Sequence, residues 1–227
     1  MYTPKFNQVV DRALLIEAMR TYSFAILFGP GPDGAPAATH LPLVVHDEGE
    51  RGTLEGHFAL ANPHWKSLAG RETLVVFSGP HSYVSPTLYE NPKSVPTWNY
   101  IAIHATGTLQ IVEDANDDQA AAHARKEALL KNLIQVHEPA YAAQWDDLPI
   151  GYRISMTSGI VGFRIPISKI EGKFKLSQNR PEIDRVNVQA SHAAGTADQQ
   201  ALATWMQRLG ISAKNMNEKN MDTKIVP

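Results

Sequence analysis

The residues with the most chemical capacity crowd into one short run, Lys173-Phe174-Lys175-Leu176-Ser177-Gln178-Asn179-Arg180. Cations, a hydroxyl and side-chain amides in close succession suit a phosphate or similar oxyanion, because each can donate a hydrogen bond to a charged oxygen. If the chain is extended there, Lys173, Lys175 and Ser177 share one face and Phe174 and Leu176 the other. A solvated basic edge strand has the same pattern, so the run alone leaves both readings open. A second run, Val95-Pro96-Thr97-Trp98-Asn99-Tyr100, combines aromatic surface with a hydroxyl and an amide behind a rigid proline. That mixture could wall a pocket for a broad planar ligand, which needs apolar contact and a few fixed polar groups. One of Trp98 and Tyr100 is expected to line such a pocket, with the other in the core or at an interface.

Four histidines, His40, His57, His81 and His104, fall in or beside β-like segments. Their spacing matches no compact ligand motif, and a histidine in a half-buried strand is more often a hydrogen-bonded structural residue than a metal ligand. No metal site is therefore assigned. Asn62 precedes Pro63 and favours a turn, and Trp65 can close the end of the adjoining strand. Nucleophilic catalysis has little support: there is no G-x-S-x-G elbow, and Ser82 and Ser85 are merely near His81 in sequence. No residue is assigned a catalytic role. No dinucleotide fold or nucleotide-hydrolysing loop is read from the glycines either, since those from Gly29 to Gly34 mark a hairpin-type connection.

These residues sit in a chain of 227 with 43% hydrophobic content, long enough for a large domain with extensions. The absence of Cys excludes disulfides and thiolate zinc sites. Lys and Arg number 21 against 23 Asp and Glu, a net charge of −2, which argues against a broad basic surface for nucleic acid. The longest apolar stretches, Leu41 to Val45 and Leu74 to Phe77, are strand-sized, so neither a signal peptide nor a membrane span is visible and a cytoplasmic protein is expected.

Helical spacing runs from Asp11, a suitable N-cap, to about Tyr22. Short β-like runs follow at Phe24 to Phe28, Ala37 to His46, Thr53 to Leu60, Leu74 to Ser78 and Tyr100 to Val112, separated by turn signals that favour antiparallel neighbours. Ser82 to Pro96 is Pro-rich and reads as an ordered loop packed by Tyr83, Leu88 and Tyr89. An acidic segment, Glu113 to Asp118, opens a long helix over roughly 117–137. A late strand covers Gly159 to Ile165, a basic polar stretch Lys169 to Arg185, and a last helix about Thr196 to Leu209, where Thr196 and Gln199 form a capping box and Gly210 a stop. The tail from Ile211 is polar and expected to be loosely ordered. The whole reads as α+β, an antiparallel six-stranded split β-barrel with peripheral helices. The expected organisation is one domain over residues 1–190, with the helical insert at about 117–137, followed by a C-terminal helix and tail over 191–227.

Taken in order, G-H-x-A-x-A-N-P-x-W from Gly56, G-P-H-x-Y-V-S-P from Gly79, V-P-T-W-N-Y from Val95, and I-V-G-F-x-I-P-I from Ile160 ahead of E-G-K-F-K-L-S-Q-N-R resemble the PaiB-type family of FMN-binding negative transcriptional regulators. The resemblance runs from the opening M-Y-T-P to about Arg185 and does not reach the tail after about Ala190. It implies a split-barrel flavin-binding fold, usually a homodimer with FMN near the subunit interface. It also implies Trp at the position of Phe174, so packing there can survive while any indole N–H contact is lost. FMN carries a phosphate dianion, a polyol and a flat ring. Lys173, Lys175, Ser177, Gln178 and Asn179 answer the first, and Thr97, Trp98, Asn99 and Tyr100 the last. His40, His57, Asn62, His81 and Tyr83 are candidates for the flavin rim.

The function so implied is regulation by a flavin-binding protein. DNA contact is either indirect or through a local patch, since no convincing helix-turn-helix is present while Arg164 to Arg185 holds six Lys or Arg against three Asp or Glu. A flavin-dependent oxidoreductase of the nicotinamide:FMN reductase type is the alternative, with the cofactor carrying the chemistry. A haem-binding split barrel with a histidine axial ligand is a further one.

Overall fold

The computed structural model describes residues 1–112 and 118–212. The acidic stretch expected to open the long helix, Glu113 to Asp117, and the tail beyond residue 212 lie outside the described residues. In chain order the elements are β1 (Gln8–Val9), α1 (Arg12–Thr21), β2 (Phe24–Pro30), β3 (Pro36–Pro42), β4 (Val44–His46), β5 (Thr53–Ala59), α2 (His64–Leu68), β6 (Glu72–Val84), β7 (Thr97–Thr108), β8 (Gln110–Ile111), α3 (Gln119–His137), α4 (Ala142–Asp147), α5 (Ile150–Ser158), β9 (Ile160–Lys175), α6 (Glu182–Ala193) and α7 (Ala197–Arg208). Of the nine strands among the described residues, β1, β4 and β8 have only two or three residues each. Six principal strands remain. Hydrogen bonding links the strands in the order β3-β2-β6-β7-β9-β5-β4, with β1 and β8 also pairing on β9. The registered ladders, such as Thr53↔Pro166 to Ala59↔Ile160 between β5 and β9, are antiparallel.

The chain forms two compact units. Unit 1 takes Met1–Ala18, Ser78–Ile103 and Glu171–Pro227; unit 2 takes Met19–Phe77 and His104–Ile170. In unit 2, Phe58 and Phe163, both fully buried, meet at 4.9 Å between ring centroids, and Leu43, Leu54 and Ile165 are buried with them. Small residues allow the close strand approach: a Cβ on Gly107 would lie 2.2 Å from the Pro166 carbonyl oxygen. In unit 1, Phe174 meets Trp205 of α7 edge to face at 5.2 Å, and Leu176, Val188, Leu202 and Met206 have no exposed surface. Burying these aromatic and aliphatic side chains is the main favourable contribution to such a core, at about 25 cal/mol per Å² of apolar surface.

Local signals were realised where the chemistry is explicit. Asp11 accepts from the Leu14 N–H at 3.1 Å to start α1, and Thr196 and Gln199 form the reciprocal capping box of α7. The glycines at 29, 31 and 34 do spell G-x-G-x-x-G. The run nevertheless joins antiparallel β2 and β3, with Gly31 N–H bonded to the Ala35 carbonyl at 2.7 Å and Gly34 at φ +81°. A dinucleotide loop leads from a strand into a helix, so this one is a hairpin turn.

Four helices were not expected. In α6 the buried positions are Asp184, Val188 and His192, a stripe at helical spacing of which two members are polar. Hydrophobic periodicity cannot register such a stripe. The strand expected at Leu74 to Ser78 extends through Val84, so the first residues of the presumed loop belong to β6. The late strand likewise continues to Lys175, which makes the first part of the basic stretch β-structure.

Candidate functional site

The end of β9 carries Lys173 and Lys175 two residues apart, and therefore on one strand face. Phe174, between them, is turned into the core of unit 1. The Lys173 ammonium is buried, donates to the Tyr2 carbonyl at 3.1 Å and lies 5.6 Å and 5.3 Å from the ring centroids of Tyr2 and Tyr100. Cation–π contact of this kind is worth about 0.5–2 kcal/mol, depending on how dry the site is. Lys175 donates to the Thr97 hydroxyl and, at 2.7 Å, to the Trp98 carbonyl. Burial, then the charges of Lys173 and Arg180, push its pKa below the ordinary lysine value. Arg180 lies 3.9 Å over the ring of Tyr89. Among the described residues, none of these three cations has a carboxylate within ion-pair distance. Glu171, which is near in sequence, holds the Met1 ammonium instead.

Beyond β9 the chain turns through Ser177, whose φ of +67° is in the left-handed region. The Ser177 hydroxyl donates to Asn99 Oδ1 at 3.1 Å. Asn99 is fully buried, and among the described residues its Nδ2 has no acceptor. Gln178 is committed to the backbone, accepting from Leu176 N–H at 2.7 Å and donating to the Phe174 carbonyl. Asn179 is exposed.

The same unit holds an aromatic cluster. Trp98 and Tyr100 are two apart in β7 and share a face, contrary to the expectation that only one could line a given pocket; alternation puts Thr97 and Asn99 on the other. Trp98 is 52% exposed, and Tyr83 and His81 of β6 have ring centroids 6.1 Å and 6.3 Å from it. His81 Nδ1 is 3.7 Å from the Asp198 carboxylate. Three site segments picked from sequence therefore meet in unit 1, giving cations without counter-ions, an orphan amide donor and open aromatic surface.

The remaining candidates belong to unit 2. His40 is exposed and stacks at 6.2 Å on Phe24. His57 has its pKa pushed down by burial. Asn62 accepts from His64 N–H at 3.0 Å and donates to Thr39 Oγ1 at 3.4 Å, while Thr39 also meets His64 Nδ1 at 2.8 Å. This is turn chemistry at the start of α2. Among the described residues no cluster of His, Asp or Glu could hold a metal ion. Tyr2, whose carbonyl and ring both serve Lys173, had no signal in the sequence, and Tyr89 was read only as a packing residue.

Residues 1–169 match the family described as "Putative FMN-binding domain". The chain belongs to this family. Its cofactor is FMN. It is 35% identical, over 83% of its length and 87% of the relative's, to Protease synthase and sporulation protein PAI 2 of Bacillus subtilis. Among solved structures it is similar to the FAD and heme binding protein from Mycobacterium smegmatis, with a TM-score of 0.53 and 16% identity over 74% of this chain and 73% of that one. It is also similar to the flavocytochrome Anf3 from Azotobacter vinelandii, with a TM-score of 0.52 and 15% identity over 71% and 66% of the respective chains. The α+β split-barrel fold read from the sequence is thus the fold of this protein. Among the described residues no helix is long and apolar enough to cross a membrane.

The residues of unit 1 fit the chemistry of FMN. A phosphate dianion would compensate Lys173, Lys175 and Arg180; the buried Asn99 Nδ2 is a donor awaiting an acceptor; Trp98 and Tyr83 offer apolar ring surface. Bound FMN supplies reversible electron transfer. Lys173 and Lys175 would hold the phosphate, with Ser177 and Asn99 packed behind them, and His81 stands beside the Trp98 ring.

Proposed function

We propose that this chain is an FMN-responsive regulator that binds the flavin on the aromatic and cationic face of unit 1, as a homodimer with that face near the subunit interface. The observation that carries the reading is the cluster of Lys173, Lys175 and Arg180, which have no carboxylate partner among the described residues. Keeping three such cations together without a counter-ion is unfavourable, and a bound anion removes the penalty. The exposed Trp98 and Tyr83 beside them leave apolar area that a flavin ring and a second subunit would cover. The 35% identity to the sporulation protein supports a regulatory setting, in which occupancy by flavin biases assembly and hence transcription in the cytoplasm. Contact with DNA, direct through the local basic residues or indirect, follows from that role.

The first test is visible absorbance and flavin fluorescence of the purified chain titrated with FMN. The double variant Lys173→Ala with Lys175→Ala is expected to bind FMN at least tenfold more weakly, and unchanged affinity would remove the assigned site. Selection from a random duplex pool, repeated at rising salt, then tests direct DNA recognition, which must show steep salt dependence.

The placement of His81 favours a second reading, a flavin-dependent oxidoreductase. Its imidazole lies 3.7 Å from the Asp198 carboxylate and stands beside the Trp98 ring, which places a group of acid–base chemistry next to the aromatic surface. Oxidation of a nicotinamide by the FMN-loaded protein, lost in His81→Ala, would establish it.

A further inference from the structure

The cation best prepared for a ligand is Arg180, which the structure fixes in place while leaving its hydrogen-bonding edge unused. Its guanidinium lies 3.9 Å over the Tyr89 ring, and among the described residues none of its side-chain N–H groups has an acceptor. A planar guanidinium flat on a ring directs its donors outward in its own plane, the geometry for grasping two oxygens of one anion. The ring beneath it is immobilised from both sides. The Glu90 N–H bonds to Asp184 Oδ1 at 3.0 Å, Asn187 Nδ2 donates to the Leu88 carbonyl at 3.1 Å, and Tyr89 itself is only 6% exposed. Both neighbours of Tyr89 are therefore tied to α6. Asp184, at 3% exposure, uses its carboxylate on that backbone tie rather than on Arg180. The Arg180 charge is felt at Lys175, the cation bonded to Thr97 and Trp98. Arg180 lies outside the stretch 1–169 matched by the family, and Tyr89 lies outside the aromatic run Val95 to Tyr100 read from sequence.

We propose that Arg180, held over the ring of Tyr89, whose two neighbours are tied to α6, is the specificity residue by which the site selects a phosphorylated flavin over the dephosphorylated flavin. The inference rests on the reading that the phosphate is held at the Lys173 and Lys175 cluster. It adds that Arg180 acts on the phosphate alone, with no part in holding the ring.

The test uses the full chain, titrated with FMN and with riboflavin, and with inorganic phosphate as a competitor of FMN. Arg180→Met is expected to weaken FMN at least tenfold and phosphate competition in proportion, with riboflavin affinity within about twofold of the unaltered protein. Arg180→Lys should fail to restore FMN affinity, because an ammonium cannot present a stacked fork. Tyr89→Phe keeps the ring and should bind both flavins as before; Tyr89→Leu removes the platform and should weaken FMN alone. Equal losses for FMN and riboflavin in Arg180→Met, or no loss of either FMN affinity or phosphate competition, would overturn the proposal. If Arg180→Met is silent while the lysine double variant loses FMN, only this inference falls. If the double variant is silent as well, the assignment of the whole site falls with it.

Discussion

Replacing Lys175 by Met separates a binding role from a bracing role, because the two predict opposite balances of affinity and stability. In the free protein the Lys175 ammonium donates to Thr97 Oγ1 and to the Trp98 carbonyl, and it is disfavoured by burial and by the charges of Lys173 and Arg180. Methionine keeps the apolar stem and removes the charge. Both lost acceptors sit beside Trp98, which is half exposed, so water can reach them and little penalty remains. Relief of repulsion offsets that penalty, and the net change in unfolding free energy should stay within about 1 kcal/mol in either direction. The FMN complex loses a charge-assisted hydrogen bond worth about 1.5–3 kcal/mol. At about 1.4 kcal/mol per tenfold, this corresponds to a weakening of roughly 10- to 150-fold. Flavin fluorescence titration gives the affinity and thermal melting of the ligand-free protein gives the stability. A variant that melts several degrees lower yet binds FMN unchanged would refute the reasoning and make Lys175 a brace for the start of β7.

Four other outcomes follow from the same structure. FMN affinity should fall as pH rises through the depressed Lys175 pKa of the free protein, because binding then requires uptake of a proton, and the fall should be shallower in Lys175→Met; isothermal titration across that range measures it. His192 is 1% exposed, neither ring nitrogen is bonded among the described residues, and burial holds its pKa below the ordinary 6.5. The unfolded chain then binds the proton more readily, so stability is full above the ordinary histidine value and declines below it by at most about 1.4 kcal/mol per pH unit; His192→Phe should flatten that slope in denaturant unfolding between about pH 7 and pH 5. Glu55, buried, accepts from Arg164 at 2.7 and 2.8 Å and from Asn132 at 2.8 Å, while Arg164 is 45% exposed and can be rehydrated. Glu55→Gln should therefore cost about 1–3 kcal/mol in urea unfolding, and a change under about 0.5 kcal/mol would contradict the network. Gly107→Ala would drive a Cβ to 2.2 Å from the Pro166 carbonyl oxygen, and a melting temperature equal to that of the unaltered protein would show the β7 and β9 backbones to be looser than the structure describes.

The sequence was legible where one residue type has one structural use. Asp11, the Thr196 and Gln199 pair and the polar hairpin turns gave correct starts and reversals, and alternating apolar runs located the principal strands. The candidate site was legible in composition but not in placement. Lys173, Lys175, Trp98, Tyr100, His81 and Tyr83 come from three strands of unit 1, while His40, His57 and Asn62 are in unit 2, a division that no local pattern encodes. Helix α6 was hidden because Asp184 and His192 occupy its buried stripe. The left-handed turn at Ser177 had no cue, since serine rarely adopts it.

That turn also constrains how position 177 can vary. A non-glycine residue at φ +67° carries backbone strain of about 1–2 kcal/mol, which glycine would relieve. Glycine would also delete the hydroxyl that donates to Asn99 and leave the oxygen of that buried amide as bare as its nitrogen. Asparagine and aspartate tolerate the backbone but bring larger, acceptor-bearing groups into a closed space, and β-branched residues fit the backbone poorly. Ordinary mutational drift thus meets a narrow gate here. A serine retained at position 177 across a library selected for FMN binding would mark the hydroxyl, and a shift to glycine would mark the turn alone.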